Sequence, residues 1–260
     1  MRSTLKLIPL ILLSLATLAQ PARAETPERP APTGGMLSLL PSPQVTSHSI
    51  TLGGRKLDYQ AKAGTLSLLS AKGEVTAEIF YTAYTQQPAG AAKQRPITFV
   101  FNGGPGAASA YLHLGAIGPR IVATSADGEF LPPPQKLIDN PDSWLDMTDL
   151  VFVDPVGTGY SEISRNWDYG NSGQGYAGVM NDLQRARALN PALGVVIVNG
   201  YTDLVTPYLA SRYLVSQLPS LADTRPIRLD VLEGGHMMYL RPDGRRALKE
   251  AASELYQATQ

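Results

Sequence analysis

Residues 96–106, PITFVFNGGPG, form a short unbroken apolar run that stops in a cluster of glycines. A strand with one wet face alternates apolar and polar residues, whereas a continuous run of this length reads as a strand buried on both faces, as in a parallel sheet. The same texture returns at residues 150–159, LVFVDPVGTG, and at 194–203, GVVIVNGYTD, and a last strand reads at 226–236, PIRLDVLEGGH. Each run ends in polar or Gly-rich residues, at the strand end where open α/β sheets build their ligand sites. Helical patterns lie between them, at 108–114, at 176–189 (YAGVMNDLQRARAL), at 206–218 (TPYLASRYLVSQL) and at 245–256 (RRALKEAASELY). In the third helix Thr206 reads as the N-cap and Pro207 as the first helical residue, with Ala210, Leu214 and Leu218 on one face. In the last, Leu248, Ala252 and Leu255 share a face. Strand and helix alternate, so the class is α/β.

Upstream the texture changes. Residues 47–69 and 74–84 alternate β-branched and aromatic residues with polar ones between Gly-containing turns, which predicts antiparallel strands at the edge of the sheet. Residues 25–44, ETPERPAPTGGMLSLLPSPQ, are rich in Pro and polar residues and read as an extended leader. The first 24 residues combine Arg2 and Lys6 with an apolar run from Leu7 to Ala19 and a small-x-small site, Ala22-Arg23-Ala24. That is the pattern of a cleaved signal peptide, and the run is shorter than the roughly 20 residues that span a bilayer. The expected product is exported, periplasmic or secreted, with no membrane anchor after cleavage, and its domain is residues 45–260.

The 260 residues carry 22 Lys+Arg against 22 Asp+Glu and no Cys. Beyond residue 24 the balance is slightly acidic, which gives no basic footprint for nucleic acid. Without Cys there is no disulfide framework, thiolate metal site or Cys nucleophile. No Lys-Ser/Thr follows the glycine cluster and its spacing does not fit a dinucleotide fingerprint, so no cofactor is called for.

Three His occur, at 48, 113 and 236. His48 lies in an edge strand and His113 in the helix behind the glycine cluster, where structural roles are the plainer reading. His236 follows a buried strand and two glycines, which lets the backbone turn and put an imidazole at the sheet's carboxyl edge. Asp203 stands in the same relation to its own strand. There it can accept the imidazole N–H, fix its tautomer and stabilise the imidazolium, or it can simply close an Asx turn. The loop Asn102-Gly103-Gly104-Pro105-Gly106 can aim backbone N–H groups at a developing oxyanion, or be a tight structural turn.

Four segments together, FVFNGGPGAASAYLHLGAIGPR, DLVFVDPVGTGYS, NGYTDLVTPYLASRYL and EGGHMMYL, resemble the serine carboxypeptidase family in its bacterial exported branch, in the right order from about Ser47 to Tyr256. The resemblance implies an α/β-hydrolase fold with a mostly parallel sheet and antiparallel N-terminal strands, removal of C-terminal amino acids from peptides with a free C-terminus, Asp203 and His236 as acid and base, Gly104 as an oxyanion N–H donor, and Asn102 with Gly103 as the clamp for the substrate's terminal carboxylate.

Such a hydrolase needs its nucleophile in a Gly-x-Ser-x-Gly elbow between the oxyanion loop and the Asp. No Ser stands in that frame. Gly159-Tyr160-Ser161 and Gly170-Asn171-Ser172 have the first glycine and lack the second, Ser109 lacks both, and Gly173–Gly178 resembles the family's elbow with Gly175 where the hydroxyl belongs. The acid that many relatives have before Gly-Pro is Ala116. The economical explanation is an internal deletion near Arg165–Asn166 that removes the central nucleophile strand and the lid. The expectation is therefore an incomplete hydrolase domain with little or no turnover; the alternatives are a non-catalytic module that binds peptide C-termini, or an esterase-like hydrolase. The sequence pattern fixes no oligomeric state.

Overall fold

The computed structural model describes residues 42–87, 95–103, 107–163 and 179–258. The expected signal peptide, nearly all of the leader, Gly104, Ser172, the near-match at 173–178 and the junction at 165–166 lie outside the described residues.

The main sheet is built from the alternating segments. β1 (Gln44–Leu52) and β2 (Arg55–Leu69) form a hairpin closed by Gly53 and Gly54, both at positive φ, 54° and 76°, as a two-residue type I′ turn demands. β3 (Val75–Gln86) returns antiparallel to β2 and pairs antiparallel on its other side with β7 (Asp149–Val153). β4 (Ile97–Val100), the strand of the glycine loop, pairs parallel with β7, giving the order β1-β2-β3-β7-β4, and β8 (Glu162–Ile163) pairs with the start of β3. Period-two alternation turns Ile50, Leu52, Leu57 and Tyr59 inward, where they meet Val100, Ala116, Ile117, Leu145, Leu150 and Phe152 in one core.

Between β4 and β7 run a one-turn helix α1 (Ala110–Leu112), a π-turn at His113–Ile117, the ribbon of β5 (Arg120–Val122) with β6 (Leu137–Asp139), and a 3-10 turn at Trp144–Asp146. Fully buried Asn140 ties these together: its amide donates to the carbonyls of Ala116 and Gly118, both at 2.8 Å, and its Oδ1 accepts from Asp142 N–H at 3.0 Å. The back of the chain holds α2 (Met180–Leu189), β9 (Val195–Gly200), α3 (Tyr208–Ser216), β10 (Ile227–Leu232) and α4 (Pro242–Gln257). β9 and β10 are parallel and form a two-stranded sheet of their own. α4 joins back to front through Lys249–Asp146 at 2.8 Å, Arg245–Asp142 at 3.5 Å and a Tyr256–Thr98 hydroxyl contact.

The architecture is an α/β-hydrolase-like sheet with antiparallel N-terminal strands. Among the described residues parallel pairing is confined to β4–β7 and β9–β10, and no strand pairs with the second edge of β4 or of β9. The interruption falls where the sequence lacks the elbow strand. It also corrects one expectation: β4 is buried on one face only. Val100 points into the core, while Ile97 and Phe99 are 58% and 61% exposed, because none of the described helices covers that face.

The helices differ from their sequence patterns at the ends. The helix expected at 108–114 is three α-residues running into a π-turn, whose last amide, Gly118 N–H, bonds to His113 C=O at 3.2 Å. α3 begins one residue later than expected, with Pro207 as N-cap and no side-chain cap, because the Thr206 hydroxyl is engaged elsewhere. α4 begins three residues earlier, with Pro242 in its first turn.

Candidate active site

β9 and β10 end side by side. Tyr201 N–H reaches Leu232 C=O at 2.7 Å and Thr202 N–H reaches Gly234 C=O at 2.9 Å, so the two post-strand loops are stitched together. Gly200 is required there, since a Cβ would lie 2.0 Å from the Gly235 carbonyl oxygen. This packing brings two residues 33 positions apart into contact: His236 Nδ1 lies 3.0 Å from Asp203 Oδ2.

The Asp203 carboxylate is buried, its side chain 2% exposed. Oδ1 accepts the N–H groups of Val205 at 2.8 Å and Thr206 at 2.9 Å, and Oδ2 accepts the Thr206 hydroxyl at 2.6 Å beside the imidazole. Burial pushes this carboxyl up, but the bonds from Thr206, His236 and Val205 outweigh it and hold the group well below the usual carboxylate range. The His236 side chain is 53% exposed, and no described residue bonds its Nε2. An ionised acid on Nδ1 with an unengaged Nε2 is the arrangement of a general base held in one tautomer.

Asn102 and Gly103, expected as a carboxylate clamp, lie at the end of β4. Asn102 Oδ1 accepts Leu112 N–H at 3.0 Å, and its side chain lies near enough to the Tyr239 phenol to favour its ionised form. Tyr239 stands three residues after His236, so the loop of the base and the end of β4 lie close together. Burial pushes the Tyr239 phenol up, partly offset by Asn102. Gly103 is exposed, with nothing within 4 Å of where a Cβ would sit. The oxyanion expectation, Gly104, lies outside the described residues.

The two described serines nearest to an elbow frame are built into the scaffold. Ser109, 1% exposed, shares its one hydroxyl proton between the carbonyls of Val100 and Val153. Ser161, 3% exposed, donates to Asp154 C=O at 2.7 Å and accepts Phe80 N–H at 2.8 Å. Asp154 completes this corner by accepting Ser109 N–H at 2.9 Å and Tyr160 N–H at 3.2 Å. Gly159 packs so closely there that a Cβ would clash with the Asp154 carboxylate at 2.0 Å.

The other histidines are structural. His113 stacks on Phe152 with centroids 4.3 Å apart, and the Tyr84 hydroxyl sits 2.7 Å from its Nε2. Burial drives the His113 ring down to about 4 and is the main reason the Tyr84 phenol rises to about 12, so a neutral ring accepts from a neutral phenol. His48 stacks on Tyr59 and contacts the Thr46 hydroxyl at 2.7 Å on an exposed edge. Two residues escaped the sequence reading. The pattern before Pro207 reads Thr206 as a helix cap, although a hydroxyl three residues after a strand-end Asp is a usable signal, and nothing in the sequence pattern marks Tyr239.

A buried carboxylate on an imidazole, both carried past the ends of neighbouring parallel strands, is an arrangement that acid–base chemistry can use. The chain belongs to the serine carboxypeptidase family, whose sequence profile matches residues 56–186, half of the chain. The matched stretch contains the glycine loop and the DPVGTGYS segment and ends before Asp203. Among solved structures the chain is similar to Kex1(delta)p, a prohormone-processing carboxypeptidase from Saccharomyces cerevisiae, at 22% identity and a TM-score of 0.33, over 66% of this chain and 38% of that one. It is also similar to a predicted CIB-like hydrolase from Thermoplasma acidophilum, at 14% identity and a TM-score of 0.38, over 74% of this chain and 99% of that one. The chain thus spans well under half the length of the yeast carboxypeptidase, and superpositions this loose carry no weight for the fold, which rests on the sheet order.

Proposed function

We propose that this chain carries the acid–base half of a serine-type carboxypeptidase and that, as it stands, it turns over little or no substrate. In the chemistry of such enzymes a hydroxyl attacks the carbonyl of the last peptide bond. The base takes the hydroxyl proton and passes it to the departing amine, and backbone N–H groups hold the oxyanion. Asp203 and His236 have the geometry for the proton transfers. Gly104 would supply an oxyanion donor, and Asn102 with Gly103 would meet the terminal carboxylate of a peptide in an exported, periplasmic or secreted setting.

The observation that carries this reading is the 3.0 Å contact between Asp203 and His236 in a protein whose two described elbow candidates, Ser109 and Ser161, are buried and consumed in backbone bonds. The test is release of the free amino acid from an N-blocked dipeptide. No release above the buffer rate is expected; release that disappears in Asp203→Asn would show that the chain supplies its own nucleophile.

The open surroundings of Gly103 favour retained recognition without chemistry. Saturable binding of peptides with a free C-terminus, and none of their amides, is then expected in calorimetry; equal binding of both would exclude the clamp.

A further inference from the structure

The imidazole of His236 is half out in solvent, so packing does little to orient it. Among the described residues its polar contacts are two, both at Nδ1: Asp203 Oδ2 at 3.0 Å and Thr206 Oγ1 at 3.3 Å. The Thr206 hydroxyl itself lies 2.6 Å from the same Oδ2. Three polar atoms therefore close a triangle. A carboxylate has only acceptors, so the hydroxyl proton must go to Oδ2, which leaves the hydroxyl's lone pairs for the imidazole N–H.

Resting on the reading of Asp203 and His236 as acid and base, we infer that Thr206 is a positioning residue of the pair: its hydroxyl donates to Asp203 and accepts part of the His236 Nδ1–H bond, holding the ring in the tautomer that keeps Nε2 open for a proton. The hydroxyl is not needed to shape the loop. The backbone of Thr206 does that separately, its N–H on Asp203 Oδ1 at 2.9 Å and its carbonyl on Asn199 Nδ2 at 3.0 Å. Nor does the hydroxyl cap α3, whose N-cap is Pro207. Valine has nearly the same shape as threonine, so Thr206→Val removes the hydroxyl and leaves both backbone bonds in place.

The test needs no turnover. The nitrogen chemical shifts of the His236 ring, measured in uniformly ¹⁵N-labelled protein at a pH where the ring is neutral, report which nitrogen holds the proton. Wild type and Thr206→Ser are expected to show a protonated Nδ1 and a bare Nε2. Thr206→Val is expected to raise the share of the Nε2–H tautomer about fivefold, the ratio one hydrogen bond of ordinary net strength supports. Thr206→Ala is a second route to the same loss should Val disturb the loop. Ring shifts unchanged in both Thr206→Val and Thr206→Ala, while Asp203→Asn moves them, would overturn the role of Thr206 and leave the acid–base pair standing. Ring shifts unchanged in Asp203→Asn as well would overturn the pair, and the inference with it.

Discussion

The front and the back of this chain are stabilised differently. From Gln44 to Val153 the sheet encloses a continuous apolar core, with Leu145 and Leu150 fully buried and Phe152 at 2% exposure. From Met180 to His236, the stretch that carries the Asp203–His236 pair, none of the described apolar side chains is fully buried, and α3 buries no residue at all. Its buried side chains are polar: Arg187, Asn199 and Asp203. Leu204 and Val205, directly beside the acid, are 93% and 72% exposed. Polar geometry at a site can thus be held by a few short-range bonds where the described apolar side chains around it are exposed. The same exposure shows on β4, where Ile97 and Phe99 face solvent although burying each side chain is worth about 1.5–3 kcal/mol.

Substitutions that probe the two regions test this contrast. Phe152→Ala, which removes the ring stacked on His113 and packed in the front core, is expected to cost about 3–5 kcal/mol by urea unfolding. Acidification comes next. Because the His113 ring titrates at about 4 in the folded protein and near 6.5 unfolded, the unfolded chain binds the extra proton between those values. The stabilisation is fully present above pH 6.5 and is lost as pH falls towards 4, at most about 3 kcal/mol, read as a falling urea midpoint that His113→Gln flattens. Asn140→Ala strands two buried carbonyls and is expected to cost about 1–3 kcal/mol. Leu204→Ala in the back half should stay within about 0.5 kcal/mol. Equal losses for Phe152→Ala and Leu204→Ala would erase the contrast.

How much of this was legible in the sequence depends on whether the cause is local. The alternation over residues 47–69 predicts antiparallel strands, because a strand's period of two is a property of its own backbone, and in the structure that period turns Ile50, Leu52, Leu57 and Tyr59 inward. Asp203 and His236 were legible as residues just past predicted strands, and the structure brings them together where those strands end side by side. The exposure of Phe99 was not legible, because a continuous apolar run suits a two-layer cover and says nothing of whether the covering layer is in the chain. Thr206 illustrates a different limit. As a residue type before Pro207 it fits an N-cap, and only the approach of the Asp203 carboxylate, itself buried by the junction of two strands, draws the hydroxyl away from the helix.

We propose an acid and a base in place with no hydroxyl to serve them. Intact-mass spectrometry after incubation with excess fluorophosphonate reads that most directly. An unchanged mass under conditions that fully label an active serine hydrolase is the predicted result, and a single adduct mapped to one serine and lost in His236→Ala would contradict it.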